Sequence, residues 1–73
     1  MITIKFGEGN QVQRSVFDFP TVEDIREDAG LRAYFGFGDN MDVYLVGNGI
    51  LDGDAATVDG ATYSIVTRAN TKG

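Results

Sequence analysis

The sequence predicts an α+β fold in which a mixed sheet of four to five strands packs on one helix. Three observations lead to this prediction. Stretches in which apolar and polar residues alternate open and close the 73-residue chain, and a period of two is typical of half-buried strands. A capped segment with helical spacing lies between them. Turns rich in glycine and asparagine separate the segments, without an internal repeat or a linker.

The first two strands are expected to form a β-hairpin. Ile2, Ile4 and Phe6 alternate with polar residues, which places all three on the core face of the first strand. The sequence Gly-Glu-Gly-Asn that follows has the residues of a tight turn. The second strand is predicted over 12–19, where the apolar residues change face near Arg14. A bulge or a register shift would reconcile the two faces, so the register of this strand stays open.

The helix has the clearest local signal. Thr21 is suited to cap its first free backbone amides, and Asp24, three residues later, is placed to reach back to the cap residue. Val22, Ile25 and Ala29 follow with a 3-then-4 spacing, which predicts that they form one apolar face toward the core.

The helix is expected to end at Gly30, because glycine readily adopts the left-handed conformation of a helix C-terminus. Residues 31–35 are expected to add one helical turn that closes the core. A loop over 36–40, with two glycines, then leads to the next strand.

Three strands complete the predicted sheet. The third is expected over 41–46, and the Asn-Gly pair that follows is the strongest short hairpin signal. This hairpin leads into a very short edge strand at residues 50 and 51. The last strand is expected over 61–67. The known arrangement for this element order lays the last strand beside the first, parallel to it, in the middle of the sheet.

Length and charge narrow the classes of function. We expect one domain over 1–67, followed by a polar tail over 68–73. Six basic and eleven acidic residues give a net charge of -5, which argues against binding nucleic-acid phosphates or an anionic membrane surface. The acidic residues are scattered, which disfavours a mimic of nucleic-acid charge. Apolar runs are far shorter than the about 20 residues that span a bilayer, so we expect a cytoplasmic protein unless it is packaged elsewhere.

Catalytic and metal-binding residue types are scarce. The chain has neither cysteine nor histidine. Histidine is the commonest general base and the commonest transition-metal ligand among side chains. Asp52, Asp54 and Asp59 resemble part of a calcium loop but lack the rest of its pattern and its distal glutamate, so we interpret them as residues of turns. Glu23 and Glu27 lie one helical turn apart, but nothing is predicted to bury them as a pair of catalytic carboxylates requires. We therefore expect no metal, no cofactor and no enzymatic activity.

Several stretches resemble small bacterial β-grasp (ubiquitin-like) proteins. Residues 21–25 (TVEDI) resemble their "T-V-x-D-L" helix start, and residues 58–66 (VDGATYSIV) resemble their "L-x-D-G-D-x-V-x-V" final strand. Residues 47–49 (GNG) resemble their "V-N-G" hairpin, and the N-terminal hairpin begins at Met1. The resemblance covers essentially the whole chain and implies the β-grasp fold. It does not single out a function, because carriers, modifiers and binding modules share this fold.

Short stand-alone β-grasp proteins of tailed bacteriophages are similar at residue level. The resemblance lies in the loop GFGDN over 36–40 and in the ending TRANTKG over 67–73. It implies a protein–protein interaction module, such as a virion protein that decorates or cements a capsid. The implied partner is the major capsid protein or the chain itself in many copies, and the implied location is the virion.

The sulfur-carrier proteins of thiamin and molybdopterin synthesis provide an alternative. They resemble the chain in fold, and their Gly-Gly tail enters an activating enzyme, is adenylated and carries sulfur as a thiocarboxylate. The resemblance implies that Gly73 would be the carrier residue in this chain. Lys72 precedes it where those proteins have glycine, and a lysine side chain would have to thread the narrow channel of the activating enzyme.

The candidate partner contacts are aromatic residues and the tail. Five phenylalanines and three tyrosines are many for one small core. Phe37 lies between two glycines in the predicted loop and is expected to be exposed as an anchor, and Tyr44 lies opposite the core face of the third strand. The tail contributes four further candidates, Arg68, Asn70, Lys72 and Gly73. The alternative is that the aromatic residues edge the core and that the tail is a frayed end.

Overall fold

The computed structural model describes residues 1–67. Within this range five strands and two helices follow one another: β1 (Ile2–Phe6), β2 (Gln11–Arg14), α1 (Val22–Glu27), α2 (Ala29–Phe35), β3 (Met41–Leu45), β4 (Gly49–Ile50) and β5 (Thr62–Thr67). The strands form one mixed sheet in the order β2-β1-β5-β3-β4. The predicted α+β class is therefore confirmed, with five strands and with two helices instead of one. The predicted tail over 68–73 lies outside the described residues.

The centre of the sheet is a parallel pair formed by β1 and β5. Ile4 lies opposite Tyr63 and Phe6 lies opposite Ile65 in this pair. On either side the sheet is antiparallel, with β2 next to β1 and β3 next to β5, and β4 forms the far edge beside β3. The predicted position of the last strand is confirmed.

One face of the sheet packs against the helices. The core contains buried apolar side chains from both layers, among them Ile2, Ile4, Phe19, Val22, Ile25, Leu31, Phe37, Met41, Val43, Tyr63 and Ile65. Each fully buried aliphatic side chain stabilises the fold by about 1.5–3 kcal/mol relative to its exposed state. Because successive strand residues point to opposite faces, the alternate residues of the same strands point away from the helices. We call the side that they form the outer face.

The first helix begins as predicted and ends early. The Thr21 side chain accepts a hydrogen bond from the Asp24 amide, and the Asp24 carboxylate accepts one from the Thr21 amide, which completes a capping box. Asp28 is extended, at φ -72° and ψ 118°, and its carboxylate accepts a hydrogen bond of 2.8 Å from the Leu31 amide. Asp28 thus ends α1 and caps α2, because aspartate at this position satisfies free amides that a continuing helix would not offer.

Two expectations for the helical segment are wrong for this reason. Ala29 is exposed, since it is the first residue of a new helix whose buried core residue is Leu31. Gly30 lies inside α2, and the left-handed residue that follows the last helical turn is Gly36, at φ 81°. The Gly36 amide donates a hydrogen bond to the Arg32 carbonyl, which ends α2.

The second strand is shorter than the predicted range of 12–19. It pairs regularly with β1 over four residues and ends at Arg14, so no bulge or shifted register is needed. The chain then turns, and the Phe17 amide donates a 3.1 Å hydrogen bond to the Ser15 hydroxyl. The turn explains the change of face, because Phe17 points into solvent and Phe19 returns to the core.

The connection between β4 and β5 crosses the N-terminus of α1. The Val22 amide donates to the Ala55 carbonyl at 2.9 Å, and the Glu23 amide donates to the Gly53 carbonyl at 2.7 Å. The first amides of a helix have no acceptor within the helix, so a connecting segment that supplies one also becomes attached to it. Thr57 attaches the same segment a second time, because its amide donates to the Pro20 carbonyl at 3.0 Å.

The start of the chain is held against the turn that precedes β5. The N-terminal ammonium of Met1 forms an ion pair with Asp59, and the Gly60 amide donates a 2.8 Å hydrogen bond to the Met1 carbonyl. The hydrogen bond from the ammonium, together with its charge, lowers the pKa of Asp59 below the ordinary value of 3.8. Both charged groups are exposed, so solvent screens the pair.

Replacing Asp59 by Asn should therefore cause a small loss of thermal stability that depends on pH. A carboxylate whose pKa is lowered by folding stabilises the protein above its unfolded pKa, and this contribution disappears as the pH falls through the lower folded pKa. We expect the difference in melting temperature between the two proteins to be present near pH 7 and to decrease as the pH falls below the ordinary pKa of 3.8.

Thermal unfolding followed by circular dichroism at a series of pH values measures this difference. Asp54→Asn, in an exposed position of the preceding loop, serves as the control for the removal of one negative charge. A difference between Asp59→Asn and the unchanged protein that persists undiminished at low pH would contradict the assigned role of the carboxylate.

Candidate functional site

Phe37, which was expected to be an exposed contact residue, is buried. Its ring is 8% exposed and lies 5.8 Å from the ring of Phe6 and 6.4 Å from that of Phe35, measured between ring centres. The guanidinium of Arg32 lies 5.9 Å from the centre of the Phe37 ring. The left-handed conformation of Gly36 turns the chain back at this point, which directs the next side chain into the core. The expectation of an exposed ring is therefore wrong, and Phe37 offers little surface to a partner.

Arg32 holds the loop over 36–40 in place. Its Nε donates a 2.7 Å hydrogen bond to the Arg26 carbonyl, and its guanidinium forms an ion pair with Asp39. The hydrogen bond with Asp39 raises the pKa of Arg32 above its ordinary value. The Arg32 carbonyl also accepts the Phe37 amide at 3.2 Å. The glycine-rich loop thus closes the core and is anchored to α2 at several atoms.

Tyr44 lies on the outer face, as predicted. Ile50 of β4 is its cross-strand neighbour on one side, and Ser64 of β5 is its neighbour on the other. Directly opposite side chains in antiparallel strands have Cβ atoms about 4.5–5.5 Å apart, so these three side chains form one row across the sheet. Ile50 is 60% exposed, and Tyr44 is half-buried. An isoleucine with this much exposed surface beside a tyrosine makes an apolar area on the open side of the sheet.

Val46 and Val66 extend this apolar area. Val66 lies opposite Asp42 in the β3–β5 pair, two residues from Ser64 on the same face. The Val46 amide donates a 3.1 Å hydrogen bond to the Thr62 carbonyl, which continues the pairing one residue beyond β3 and keeps Val46 on the face of Tyr44. We call the set Tyr44, Val46, Ile50 and Val66 the outer patch.

Charge is distributed unevenly between the two sides of the protein. On the outer face, the strand residues outside the outer patch are mostly neutral: Thr3, Lys5, Gln11, Gln13, Asp42, Thr62 and Ser64. Among these seven residues Lys5 and Asp42 are charged, with opposite signs. Asp42 is also the one residue among the eleven acidic residues of the chain that lies on a strand at the outer face. The helical side, in contrast, carries Glu23, Asp24, Glu27 and Asp28 against Arg26 and Arg32.

A second group of exposed apolar side chains lies in turns near the start of β1. Phe17 is 90% exposed in the turn after β2, and Val58 is 59% exposed in the segment before β5. The Val58 amide donates a 2.8 Å hydrogen bond to the hydroxyl of Tyr63, whose ring is in the core, so Val58 does not belong to the outer face. The sequence placed Phe17 inside a strand, and its exposure was therefore missed.

Acidic residues that the sequence offered as catalytic or calcium-binding groups form ion pairs in the structure. Glu23 forms a 2.7 Å ion pair with Arg26, and Asp59 pairs with the N-terminal ammonium. Over residues 1–67 there is no group of three or more acidic, histidine or cysteine residues placed to hold a metal ion, and no pocket is detected. In the same range no helix combines the length and the apolar character needed to cross a membrane.

The four predicted contact residues of the tail, Arg68, Asn70, Lys72 and Gly73, lie outside the described residues. Of the two aromatic residues predicted as partner contacts, Tyr44 therefore lies on an accessible surface and Phe37 lies in the core. The strand alternation already placed Val46 on the face of Tyr44, and the Asn-Gly hairpin was the signal that could have added Ile50. No family model, no curated protein and no solved structure matches the chain.

Replacing Phe37 by Ala should lower the free energy of unfolding by about 3–5 kcal/mol, because it removes a buried ring and leaves a cavity. Phe17→Ala is the matched control, since it makes the same chemical change at a ring in solvent and should cost less than about 0.5 kcal/mol. Urea denaturation of both variants measures the two values. Similar losses for the two variants would contradict the assignment of Phe37 to the core.

Proposed function

We propose that the chain is a small β-grasp protein that acts by binding another protein and has no catalytic site. The strand order β2-β1-β5-β3-β4, with its parallel central pair and its helices on one side, supports the β-grasp assignment. It agrees with the arrangement that the sequence resemblance implies for the last strand.

The outer patch is the observation that carries the proposed binding function. Interface centres are depleted in charged residues and enriched in aromatic ones, and the outer patch combines a tyrosine with three aliphatic residues. A partner that covers Ile50 and Val46 removes apolar surface from water, which is worth about 25 cal/mol per Å² before the costs of association. Tyr44 lies within the row that such a partner would cover, so it is the proposed anchor.

The most concrete form of this function is a phage virion protein that decorates or cements a capsid. The resemblance of residues 67–73 to endings of phage β-grasp proteins supports it. Its partner is then the major capsid protein or further copies of the chain, and Arg68, Asn70, Lys72 and Gly73 are proposed as additional contacts. A rigid domain that is present in many copies gains strength because individually weak contacts add through multivalency.

The resemblance of the loop over 36–40 to phage β-grasp proteins supports a common fold, and it does not support a partner contact at this loop. Phe37 and Asp39 are held by Arg32 and the neighbouring phenylalanines, which gives the resemblance in this loop a structural reason. A protein of similar sequence in this loop is expected to have the same loop conformation. The partner contact is therefore proposed for the outer patch and the tail, without Phe37.

The native size and intact mass of the protein from its natural source test this proposal. We expect an unmodified chain that sediments with large particles, in many copies per particle. Recovery as a small free species with a thiocarboxylate or a conjugate at Gly73 would overturn the proposal and favour the sulfur-carrier or modifier alternative.

Replacing Tyr44 by Ser should weaken the association with particles at least about tenfold, because it removes the proposed anchor of the interface. Tyr34→Ser is the matched control, since Tyr34 is an exposed tyrosine on the helical side. Both variants are added to particles that lack the chain, and the bound fraction is measured by co-sedimentation after circular dichroism has established that they are folded. Equal binding by the two variants would exclude the outer patch as the contact surface.

A further inference from the structure

We infer that the outer patch binds a second copy of this chain, so that two sheets pack face to face in a twofold dimer. This inference rests on the proposed function, because it names the partner of the surface proposed there. Sheets that pack in this way lie about 10 Å apart and interdigitate the side chains of their facing surfaces. The argument for a second copy, in preference to another protein, comes from charge and from the position of the outer patch.

The distribution of charge favours this dimer over other self-contacts. The chain carries a net charge of -5, and the two helices with their caps carry Glu23, Asp24, Glu27 and Asp28 against Arg26 and Arg32, so a contact through the helical side would bring together two surfaces of net negative charge. Like charges brought together at an interface oppose association. A contact through the outer face instead includes one acidic residue of each copy, Asp42, with Lys5 of opposite sign on the same face, and it leaves the other ten acidic residues of each copy outside the contact.

The same distribution disfavours a strongly charged partner at this surface. A basic protein is attracted to the rest of the surface, because ten of the eleven acidic residues lie in the helical segment and the turns, away from the outer face. A partner for the outer patch therefore has to be nearly neutral and apolar over the contact. The outer face of a second copy has this composition.

The position of the outer patch suits a twofold contact. In such a dimer each copy contributes the same surface, so the residue nearest the axis meets its own counterpart. Tyr44 is central to the outer patch, with Ile50 beside it on β4 and Val46 two residues along β3. A twofold axis near Tyr44 brings two tyrosine rings together and surrounds them with the aliphatic residues. Lys5, on β1, is then at the rim, where charged side chains stay solvated, whereas Asp42 lies on β3 opposite Val66 and within the contact.

Sedimentation velocity of the purified full chain over a wide range of concentrations tests the inference. We expect monomers at low concentration and dimers at high concentration. Ile50→Lys should raise the dissociation constant at least about tenfold, because it places a charge in the apolar contact. Val58→Lys is the matched control, since Val58 is 59% exposed, Ile50 is 60% exposed, and both variants have the same net charge.

Charge repulsion cannot explain the expected loss, because each substitution reduces the negative charge of the chain. Val46→Lys provides a second variant at a half-exposed position of the outer patch and should weaken the dimer like Ile50→Lys. A chain that stays monomeric at every concentration would overturn the inference. Equal weakening by Val58→Lys, or a dimer insensitive to Ile50→Lys and Val46→Lys, would also overturn it, because the contact would then lie elsewhere.

The two proposals fail in different ways. A monomeric chain that still binds particles through Tyr44 would leave the proposed function in place and assign the outer patch to a different protein. If the chain forms a dimer that depends on Ile50 but does not associate with particles, the inferred dimer stands and the proposed capsid role is excluded.

Discussion

The parallel pairing of β1 with β5 is the contact on which the other elements depend. These two strands come from opposite ends of the described chain, and closing so long a loop costs entropy that only the finished sheet and core repay. The Thr3 amide donates to the Ala61 carbonyl at 3.0 Å, which fixes how β5 enters the sheet. Once β5 occupies the centre, β2 and β3 are the flanking strands and all helical connections lie on one face. The open outer face is a direct result of this arrangement.

Those parts of the fold that depend on neighbouring residues could be predicted from the sequence. The alternation of β1, the capping box at Thr21 and the outward position of Tyr44 are of this kind. The break between α1 and α2 could not be predicted, because Asp28 is compatible with an exposed helical position and with a cap. The early end of β2 depends in the same way on whether Ser15 turns the chain, a choice that packing of Phe19 against the core decides.

The candidate site shows a similar division between local and distant causes. Glycines on both sides of Phe37 are compatible with an exposed loop or with a tight return to the core. The contact with Phe6, which is distant in sequence, together with the contact to Arg32 of α2, selects the second. The outer patch was partly predictable because Val46 shares the strand parity of Tyr44. Val66 joins it through the register between β3 and β5, which no local pattern encodes.

The connection between β4 and β5 also decides where the chain accepts new sequence. Long surface loops ordinarily tolerate insertion of a tag or an epitope. Here Gly53 and Ala55 supply carbonyl acceptors to the first amides of α1, so a peptide inserted between them would separate the helix from its acceptors. The exposed turn between β1 and β2 supplies no acceptor to a helix of the described chain. Its hydrogen bond, from the Phe6 amide to the Asn10 carbonyl, lies within the hairpin itself. A fluorescent or affinity label therefore belongs in that turn, between Gly7 and Gly9.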